Sequence, residues 1–501
     1  SMKGICKTFG SVTANDQIDF EVRKGEIHAL LGENGSGKST LMNILSGIYQ
    51  PDSGSITVDG KGRVFHSPKD SISVGIGMVY QHFMLAEPLS AGENITAGSK
   101  GFFLNRKKDN ADIRAFSEKY GMDIDPEKLT NQLSVSEKQT VEILKVLKRG
   151  AGILVLDEPT AVLTPQEILK LFRVLRKMRD DGCSIVFISH KLNEVMDLCD
   201  RVTVLRKGRL IETCNISDVT SYDLVEKMVG HKIDLSIDRP YPDPEKKVCL
   251  EVRNLFLKND QGYLKLKDMS FTLNHGEILG IAGLAGSGQK ELCETIAGII
   301  PFEKGDVLVD GTSISGKSPR AIIQMGVSLG FIPEDRLGMG LVASMDIADN
   351  VLLKDYAFEP GFLLKTDKAR IKAQKIVDEL EIQTPGIFHP VRKLSGGNIQ
   401  KVILGREINM NPKLLITAYA VRGLDINSSY TIYGLLNEQK KKGVGILYIG
   451  EDLDVLLELC DRIMVMCAGE VTGIVDARNT TKEEIGRLMS GAGLENTEGG
   501  L

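Results

Sequence analysis

Short apolar runs alternate with amphipathic stretches along this chain. Residues 27–31, 153–156 and 185–188 are continuous apolar runs, a pattern typical of strands buried on both faces of a parallel sheet. Residues 165–178 carry apolar side chains at helical spacing between two of these runs. Because strands that alternate with helices form parallel sheets covered by helices, the pattern predicts an α/β fold.

Further patterns predict the remaining elements of the first half. Strand-like runs occupy residues 19–22, 55–58 and 75–79, and a helical stretch is expected from about residue 109 to residue 147. A short helix is expected over residues 38–47. In the second half, the lysine run 440–442 is expected at the solvated C-terminal end of a helix, where the helix dipole favours cations.

The chain repeats itself in two unequal halves. Gly32 recurs as Gly283, an offset of 283 − 32 = 251, and Leu-Cys-Asp-Arg at 198–201 recurs at 459–462, an offset of 459 − 198 = 261. Self-similarity of this kind predicts two domains of one fold with a ten-residue insertion in the second. We expect the first domain at residues 1–235, a proline-rich linker at 236–247, and the second domain at 248–492.

The strongest chemical signal follows the first apolar run. Residues 32–39 read Gly-Glu-Asn-Gly-Ser-Gly-Lys-Ser, which matches the phosphate loop GxxxxGK[ST] between a strand and a helix. Backbone N–H groups of such a loop close around phosphates, the lysine reaches the β- and γ-phosphates, and the serine hydroxyl ligates Mg²⁺. The sequence therefore predicts binding of ATP with Mg²⁺. The residues expected to hold the nucleotide are Gly32, Asn34, Gly35, Ser36, Gly37, Lys38, Ser39 and Thr40.

Other candidate catalytic groups follow the later apolar runs. Asp157 and Glu158 end one run, where the first can ligate Mg²⁺ and the second can act as general base towards a hydrolytic water. His190 follows the run 185–188, and Gln81 follows the run 75–79. Taken singly, a solvated acidic turn and an ordinary histidine at the end of a strand remain alternative interpretations.

The order of these motifs, with Leu-Ser-Gly-Gly-Asn at 394–398, resembles the ABC-transporter ATPase family along essentially the whole chain. The resemblance implies two tandem P-loop ABC-type nucleotide-binding domains, each with a mixed sheet and a helical subdomain, paired head to tail. In that arrangement the signature of one half closes over the nucleotide of the other, so Ser395, Gly396 and Gly397 would contact ATP. The resemblance also implies that Gln81 joins Ser39 and Asp157 around Mg²⁺, that His190 is catalytic with Lys38 and Glu158, and that Phe9 stacks on adenine. A core position is the alternative for Phe9.

The second half lacks the catalytic residues. Its loop has Gln289 where the lysine belongs and Lys290 where serine or threonine belongs. The counterparts of Asp157, Glu158, His190 and Gln81 are Ala418, Tyr419, Glu451 and Glu334. The first half has a complementary loss, because its signature reads Leu-Ser-Val-Ser-Glu at 133–137. We therefore expect one active site, built from the intact loop of the first half and the intact signature of the second, with Asp425 bracing it.

Composition narrows the class of protein. The 62 basic against 67 acidic residues give a net charge of −5, too balanced for a surface that coats nucleic acid. No apolar run approaches the ~18 residues of a membrane span. The eight cysteines form no CxxC pair, and the N-terminus has no signal-peptide pattern, so we expect an intracellular protein with reduced thiols.

The narrower resemblance is to ATPases that energise importers of simple sugars and nucleosides. Residues 160–165, 332–336 and 394–398 carry this resemblance, and residues 79–85 resemble the nucleoside branch. It implies two transmembrane permease subunits as partners, an external solute-binding lipoprotein indirectly, no nucleic acid, and a peripheral location on the cytoplasmic face of the membrane. Import of ribose- or galactose-type sugars is the alternative. A soluble tandem ATPase acting on ribosomes or nucleic acid, and a nucleotide-regulated scaffold without turnover, are alternatives of other classes.

Overall fold

A computed structural model describes residues 1–10, 12–81, 83–98, 106–161, 163–189, 191–231, 236–241, 247–259, 261–324, 329–333, 335–356 and 366–491. The chain divides into two compact units, Ser1–Asp234 and Leu235–Leu501. No helix among these residues is long and apolar enough to cross a membrane. The predicted domain limits at 235, 236–247 and 248–492 stay predictions.

Unit 1 (Ser1–Asp234) contains two sheets. The smaller is antiparallel in the order β2-β1-β4-β5, and the larger has the order β10-β9-β3-β8-β7-β6, parallel apart from the β9–β10 pair. Its strands are β1 Met2–Phe9, β2 Val12–Phe20, β3 Ile27–Leu31, β4 Ser53–Val58, β5 Lys61–Arg63, β6 Ile76–Val79, β7 Ile153–Asp157, β8 Ser184–Ile188, β9 Arg201–Arg206 and β10 Arg209–Asn215. Every residue of β3 and β8 is buried, as the continuous apolar runs predicted.

Helices flank these sheets. They are α1 Lys38–Leu45, α2 Pro68–Ser73, α3 Ala91–Thr96, α4 Arg106–Tyr120, α5 Val135–Lys148, α6 Pro165–Asp180, α7 Leu192–Leu198 and α8 Ser221–Val229. The continuous helix expected from about 109 to 147 is wrong, because α4 ends before Gly121 at φ 71° and Ser134 caps a new helix, α5. Between them lies a loop with a 3₁₀ turn at Thr130–Gln132.

Unit 2 (Leu235–Leu501) repeats the arrangement, with sheets in the orders β12-β11-β14-β15 and β16-β17-β18-β13-β19-β20. Its strands are β11 Val248–Lys258, β12 Leu264–Asn274, β13 Ile278–Gly283, β14 Lys304–Val309, β15 Thr312–Ser313, β16 Leu329–Ile332, β17 Leu414–Ala418, β18 Gly445–Ile449, β19 Arg462–Cys467 and β20 Glu470–Asp476. Its helices are α9 Gln289–Ile296, α10 Pro319–Gln324, α11 Ile347–Asp355, α12 Thr366–Glu379, α13 Gly396–Ile408, α14 Ile426–Lys441, α15 Leu453–Leu459 and α16 Lys482–Met489. The prediction of an α/β fold with mixed sheets is confirmed in both units.

The lysine run lies at the end of α14 as predicted, with Lys441 and Lys442 exposed, but Lys440 differs from the prediction. Lys440 is buried rather than solvated, and its Nζ lies 2.7 Å from Asp461 Oδ1 and 2.6 Å from the carbonyl oxygen of Pro240. Arg239 donates to the carbonyl oxygen of Leu457 at 2.9 Å. The described part of the expected linker, residues 236–241, is therefore held against the rest of unit 2 by Lys440, which reaches its backbone, and by its own Arg239, which reaches the backbone of α15.

Candidate nucleotide site

The predicted catalytic segments of unit 1 meet at one edge of its larger sheet. Strands β6, β7, β8 and β3 are neighbours and run parallel, so the segments that follow them leave the same edge. These segments contain the loop 32–37 after β3, Gln81 after β6, Glu158 after β7 and Ser189 after β8. The edge at the carboxyl ends of parallel strands is where open α/β sheets bind ligands. His190 lies outside the described residues.

The glycines of the loop 32–37 are required by its backbone. A Cβ on Gly32 would lie 2.4 Å from the carbonyl oxygen of Leu205, and a Cβ on Gly37 would lie 2.3 Å from that of Ala14. Gly37 also has φ 99° and precedes the first residue of α1, whose free N–H groups face the loop. The buried Ser36 Oγ has no hydrogen-bond partner among the described residues. The loop thus offers a tight polar cradle that suits phosphate.

Lys38 is held at the base of this cradle. Its Nζ donates to the carbonyl oxygens of Gly32 at 2.6 Å and Glu33 at 3.0 Å, and its side chain is buried. Burial lowers the pKa of Lys38, although the charges of Glu158 and Asp157 oppose that shift. The ammonium group is therefore poorly solvated, and an anion on the loop would compensate for the lost hydration.

The two acids lie at the end of β7. Burial raises the pKa of Asp157, the Glu158 charge adds to that rise, and Lys38 opposes it. Glu158 has φ 49°, and its N–H donates to the carbonyl oxygen of Ile188 on β8 at 2.9 Å. A left-handed glutamate is uncommon, and strained positions of this kind concentrate at functional sites. The carboxylate donor set and the adjacent ammonium suit a nucleotide with a bound Mg²⁺.

The remaining predicted contacts of unit 1 are on the surface. Ser39 and Gln81 are exposed, as are Asn34 and Gly35, while Thr40 is half-buried. Phe9 is 44% exposed and packs edge-on against Tyr49 at 5.3 Å between ring centroids, so the alternative of a core phenylalanine is wrong. Its accessible ring remains suited to stacking on a base. The roles assigned to all these residues stay predictions.

The loop of unit 2 has the same backbone with different chemistry. Gly288 has φ 99° and ψ 6°, against φ 99° and ψ 3° for Gly37. Gln289, in the lysine position, donates from Nε2 to the carbonyl oxygen of Leu284 at 3.2 Å. Lys290 points elsewhere, with its Nζ 3.9 Å from Glu294. This loop keeps its shape without a charge beneath the phosphate position.

The catalytic positions of unit 2 are filled by a different cluster. Ala418 is buried, and Tyr419 has φ 54°, the same left-handed conformation as Glu158. Arg422 lies 5.8 Å from the Tyr419 ring centroid and 3.3 Å from Glu451, the counterpart of His190. Unit 2 thus has an arginine, paired with a glutamate, beside the counterpart of Glu158.

The two signature segments begin helices in different ways. Ser395 caps α13, and its Oγ accepts hydrogen bonds from the Asn398 side chain at 3.0 Å and main chain at 3.4 Å. Ser134 caps α5, where Glu137 accepts from the Ser134 N–H at 2.6 Å and pairs with Lys128 at 2.8 Å. Burial acts to raise the pKa of Glu137, but these hydrogen bonds hold it below its usual value. The segment at 395–398 therefore presents a serine and two glycines, with Asn398 at the position where the segment at 134–137 has Glu137.

Three residues near these segments are additional to the predicted set. Glu194 is buried and accepts from Thr160 Oγ1 at 2.6 Å and Ser189 Oγ at 3.4 Å, which joins the segments after β7 and β8. Asn15 donates to the carbonyl oxygen of Gly37 at 3.1 Å. Arg336 lies beside the signature, since a Cβ on Gly396 would be 3.2 Å from its Nη1. A glutamate on the apolar face of a short helix was the sequence signal for Glu194. Arg336 ends the stretch 332–336 that carries the narrower resemblance, and Asn15 carried no comparable signal.

Comparison with known proteins agrees with this geometry. The sequence profile of the ABC transporter family matches residues 15–161 and 266–417, once in each unit. The nucleoside import ATP-binding protein NupA of Lactococcus lactis subsp. cremoris is 42% identical over 500 residues, which covers 98% of each chain. The galactose/methyl galactoside import ATP-binding protein MglA of Escherichia coli K12 is 40% identical and covers 98% of this chain and 96% of its own.

Among solved structures, one similar chain comes from the complex of archaeal ribosomal stalk protein aP1 and archaeal ribosome recycling factor aABCE1. It covers 95% of this chain and 90% of its own, with a TM-score of 0.63 and 17% identity. At that identity the likeness concerns the fold alone. It confirms that two tandem cassettes of this architecture occur in one polypeptide.

Proposed function

This chain belongs to the ABC transporter family and is an ATPase with two tandem cassettes, and we propose that it powers the import of nucleosides. The observation that carries the assignment of the ATPase site is the asymmetry between two loops of one backbone shape, of which only the first has Lys38 beside Asp157 and Glu158. A nucleotide-regulated scaffold without turnover would not need this set of charged groups.

Each residue of the proposed site has a distinct task. The N–H groups of the loop 32–37 and the Lys38 ammonium neutralise the β- and γ-phosphates. Ser39, Asp157 and Gln81 would hold Mg²⁺, which neutralises developing charge on the phosphates when it is bound. Glu158 accepts a proton from the attacking water, and His190 would orient the γ-phosphate or that water. Phe9 offers its exposed ring to adenine.

The intact signature of unit 2 would complete this site. We propose a head-to-tail arrangement in which Ser395, Gly396 and Gly397 approach the γ-phosphate of the ATP bound by unit 1. Support comes from the distribution of losses in the sequence, because unit 1 keeps the loop and acids and unit 2 keeps the signature. Asp425 caps α14 by accepting from the Ser428 N–H at 2.7 Å, and its Oδ2 accepts from Ser428 Oγ at 2.8 Å. These two hydrogen bonds fix the Asp425 side chain at the start of α14, which supports its proposed role of bracing the segment next to the signature.

A groove beside Gln81 supports the proposed permease partner. It has a volume of about 180 Å³, and Met78, Tyr80, Met84 and Ile72 contribute to its walls. Met84 is 62% exposed, and its N–H is held by Glu142 Oε1 at 2.6 Å, which fixes the loop to α5. The charged residues Glu142, Lys145 and Arg149 also line this groove, and such a mixed groove next to the catalytic edge suits a short amphipathic helix of a membrane subunit. Two permease subunits would therefore hold the protein at the cytoplasmic face of the membrane, with an external solute-binding lipoprotein delivering the solute.

The nucleoside proposal rests on residues 79–85 and on the relative NupA, whose name specifies nucleoside import. Import of simple sugars is the second candidate, since MglA is named for galactose and methyl galactoside and is almost as similar. The ATPase does not touch the solute, so its sequence reports the permease branch only indirectly.

The deciding experiment reconstitutes the ATPase with its own permeases and binding protein in vesicles. We expect adenosine, guanosine or uridine to stimulate ATP hydrolysis, whereas ribose and galactose leave it at the basal rate. Stimulation by ribose or galactose alone would assign the protein to sugar import. Copurification with ribosomes rather than permeases would instead favour the class of soluble tandem ATPases.

A further inference from the structure

A second cluster of ligand-bearing side chains lies in unit 2, away from its loop. Cys249, His275 and Asp310 bring a thiol, an imidazole and a carboxylate to within 4.8 Å of one another. His275 precedes β13, whereas the loop at 284–288 follows the same strand. The cluster therefore lies at the opposite edge of the larger sheet from the nucleotide-binding segments.

Backbone hydrogen bonds fix the three residues in place. The His275 N–H donates to the carbonyl oxygen of Lys247 at 2.8 Å, and the Asp310 N–H donates to that of Cys249 at 2.9 Å. Strands β11 and β14 are paired, which places Cys249 next to the turn that carries Asp310. The pairing of these strands thus brings the three side chains together, and no loop has to become ordered before the cluster can form.

The hydrogen bonds of His275 leave a place for a cation. Its Nδ1 lies 3.0 Å from the carbonyl oxygen of Gly443, which only accepts, so Nδ1 carries a proton. In the neutral ring Nε2 then has a lone pair, and it lies 2.6 Å from Asp310 Oδ1. Two acceptors at this distance share a proton, and a metal ion that displaced this proton would hold the two atoms about 3 Å apart, because zinc bonds nitrogen and oxygen at about 2.0–2.2 Å. A backbone carbonyl on Nδ1 is also the usual partner of a histidine that ligates metal through Nε2.

The surroundings favour a metal ion that accepts nitrogen, sulfur and oxygen ligands. Cys249 is buried, and its Sγ lies 3.2 Å from the carbonyl oxygen of Lys413. The second carboxylate oxygen of Asp310 lies 2.6 Å from Lys413 Nζ, which matches the outer hydrogen bond that orients a ligating carboxylate. The side chains of His275 and Asp310 are 30% and 26% exposed, so water can reach a fourth coordination position.

We propose that Cys249, His275 and Asp310 bind a zinc-class divalent cation, with water as the fourth ligand. Zinc favours tetrahedral sites of cysteine, histidine and carboxylate ligands. On binding, the Cys249 thiol loses its proton to solvent and its sulfur bonds the metal, while the proton shared by His275 and Asp310 also leaves to solvent and these two side chains move apart to bond the ion. The ion joins β11 and β14 to the turn before β13, so it stabilises unit 2. At the 251-residue offset, 275 − 251 = 24 gives Lys24, so unit 1 lacks the imidazole ligand.

Titration of the full chain with Co²⁺ tests the site without reference to ATPase activity. A thiolate ligand gives cobalt an intense near-ultraviolet charge-transfer absorption, which the oxygen ligands expected beside Lys38 cannot produce. We expect this absorption to saturate at one equivalent per chain and to disappear when Zn²⁺ is added. Cys249→Ser should abolish it, and His275→Gln should weaken binding about 10–100-fold or more, as loss of a ligand is at least as severe as loss of an outer partner.

Cys467→Ser is the matched control, because it removes another cysteine of unit 2 and should leave the absorption unchanged. Circular dichroism verifies that each variant is folded. If Cys249→Ser does not fold, Asp310→Asn keeps the thiolate and should weaken Co²⁺ binding, whereas unchanged affinity would contradict the site. Zn²⁺ should also raise the melting temperature of the wild type and of Cys467→Ser, but not of the ligand variants. Absence of the absorption with excess Co²⁺, or its persistence in folded Cys249→Ser, would contradict the proposal and show that the cluster is only a hydrogen-bonded ion pair.

Discussion

The loops 32–37 and 283–288 share a backbone and differ in what they can do. Each ends in a glycine at φ 99°, and the following side chain, Lys38 or Gln289, folds back onto a carbonyl oxygen of its own loop. The amide of Gln289 can replace the hydrogen bond but not the charge. Loop geometry therefore follows from glycine positions and local hydrogen bonds, whereas the capacity for hydrolysis depends on a few charged groups.

The same contrast extends to the segments after β7 and β17. Unit 1 has a buried hydrogen bond between Thr160 and Glu194. At the 261-residue offset, 160 + 261 = 421 and 194 + 261 = 455, and both positions are valines that pack against the core of unit 2. Unit 2 thus has apolar side chains at both positions where unit 1 has a buried polar pair.

The largest expected effect comes from Glu158→Gln. Loss of the proposed general base should reduce turnover about 10²–10⁴-fold while ATP binding persists. Tyr419→Phe is the matched change in unit 2 and should leave turnover near the wild-type rate. Steady-state hydrolysis in the permease complex, with ATP binding measured separately, checks both. Near-normal turnover by Glu158→Gln would remove Glu158 from this role.

The next largest effect is expected from the loops. Lys38→Ala removes the buried ammonium beneath the phosphates and should lower turnover about 10²–10³-fold, by analogy with other charge-stabilising groups. Gln289→Ala removes only an internal hydrogen bond and should change turnover little. Equal losses in the two variants would contradict the assignment of the active loop.

The signature variants compare Ser395 with Ser134. Ser395→Arg places bulk and misplaced charge where the γ-phosphate would lie, and we expect a loss of turnover of about 10²-fold, the lower end of what a lost stabilising donor costs. Ser134→Arg faces the degenerate loop in the proposed arrangement and should matter much less. Comparable losses would argue against that arrangement. Melting temperatures exclude unfolding as the cause.

The smallest effect concerns the Thr160–Glu194 pair. Thr160→Val deprives a buried carboxylate of a donor and should cost about 1–3 kcal/mol of unfolding free energy. Thr160→Val with Glu194→Val copies unit 2 and should recover much of that loss, since replacing both partners of a buried bond is nearly neutral. Denaturant unfolding of the two single variants and the double variant gives the coupling energy. Strict additivity would mean that the pair is not coupled.

Much of the difference between the two units could be predicted from the sequence, because it lies in local motifs. The fold class and family were predicted from apolar runs and motif order, and both are confirmed. The helix over 109–147 was not, since the loop around Gly121 and the cap at Ser134 interrupt a stretch with helical composition. Burial of Lys440 depends on Asp461 and Pro240, which are distant in sequence, so no local pattern reveals it.

The central claim is that ATP is hydrolysed at the loop of unit 1 and not at the loop of unit 2, and trapping with orthovanadate tests it most directly. The permease complex is turned over with Mg²⁺ and 8-azido-ATP, trapped with vanadate, irradiated and digested, and the labelled peptides are assigned to a unit. The account predicts label in residues 1–234, close to Phe9 and Lys38, and its loss in Lys38→Ala. Equal label in residues 235–501 would show that the second loop hydrolyses ATP and would contradict the account.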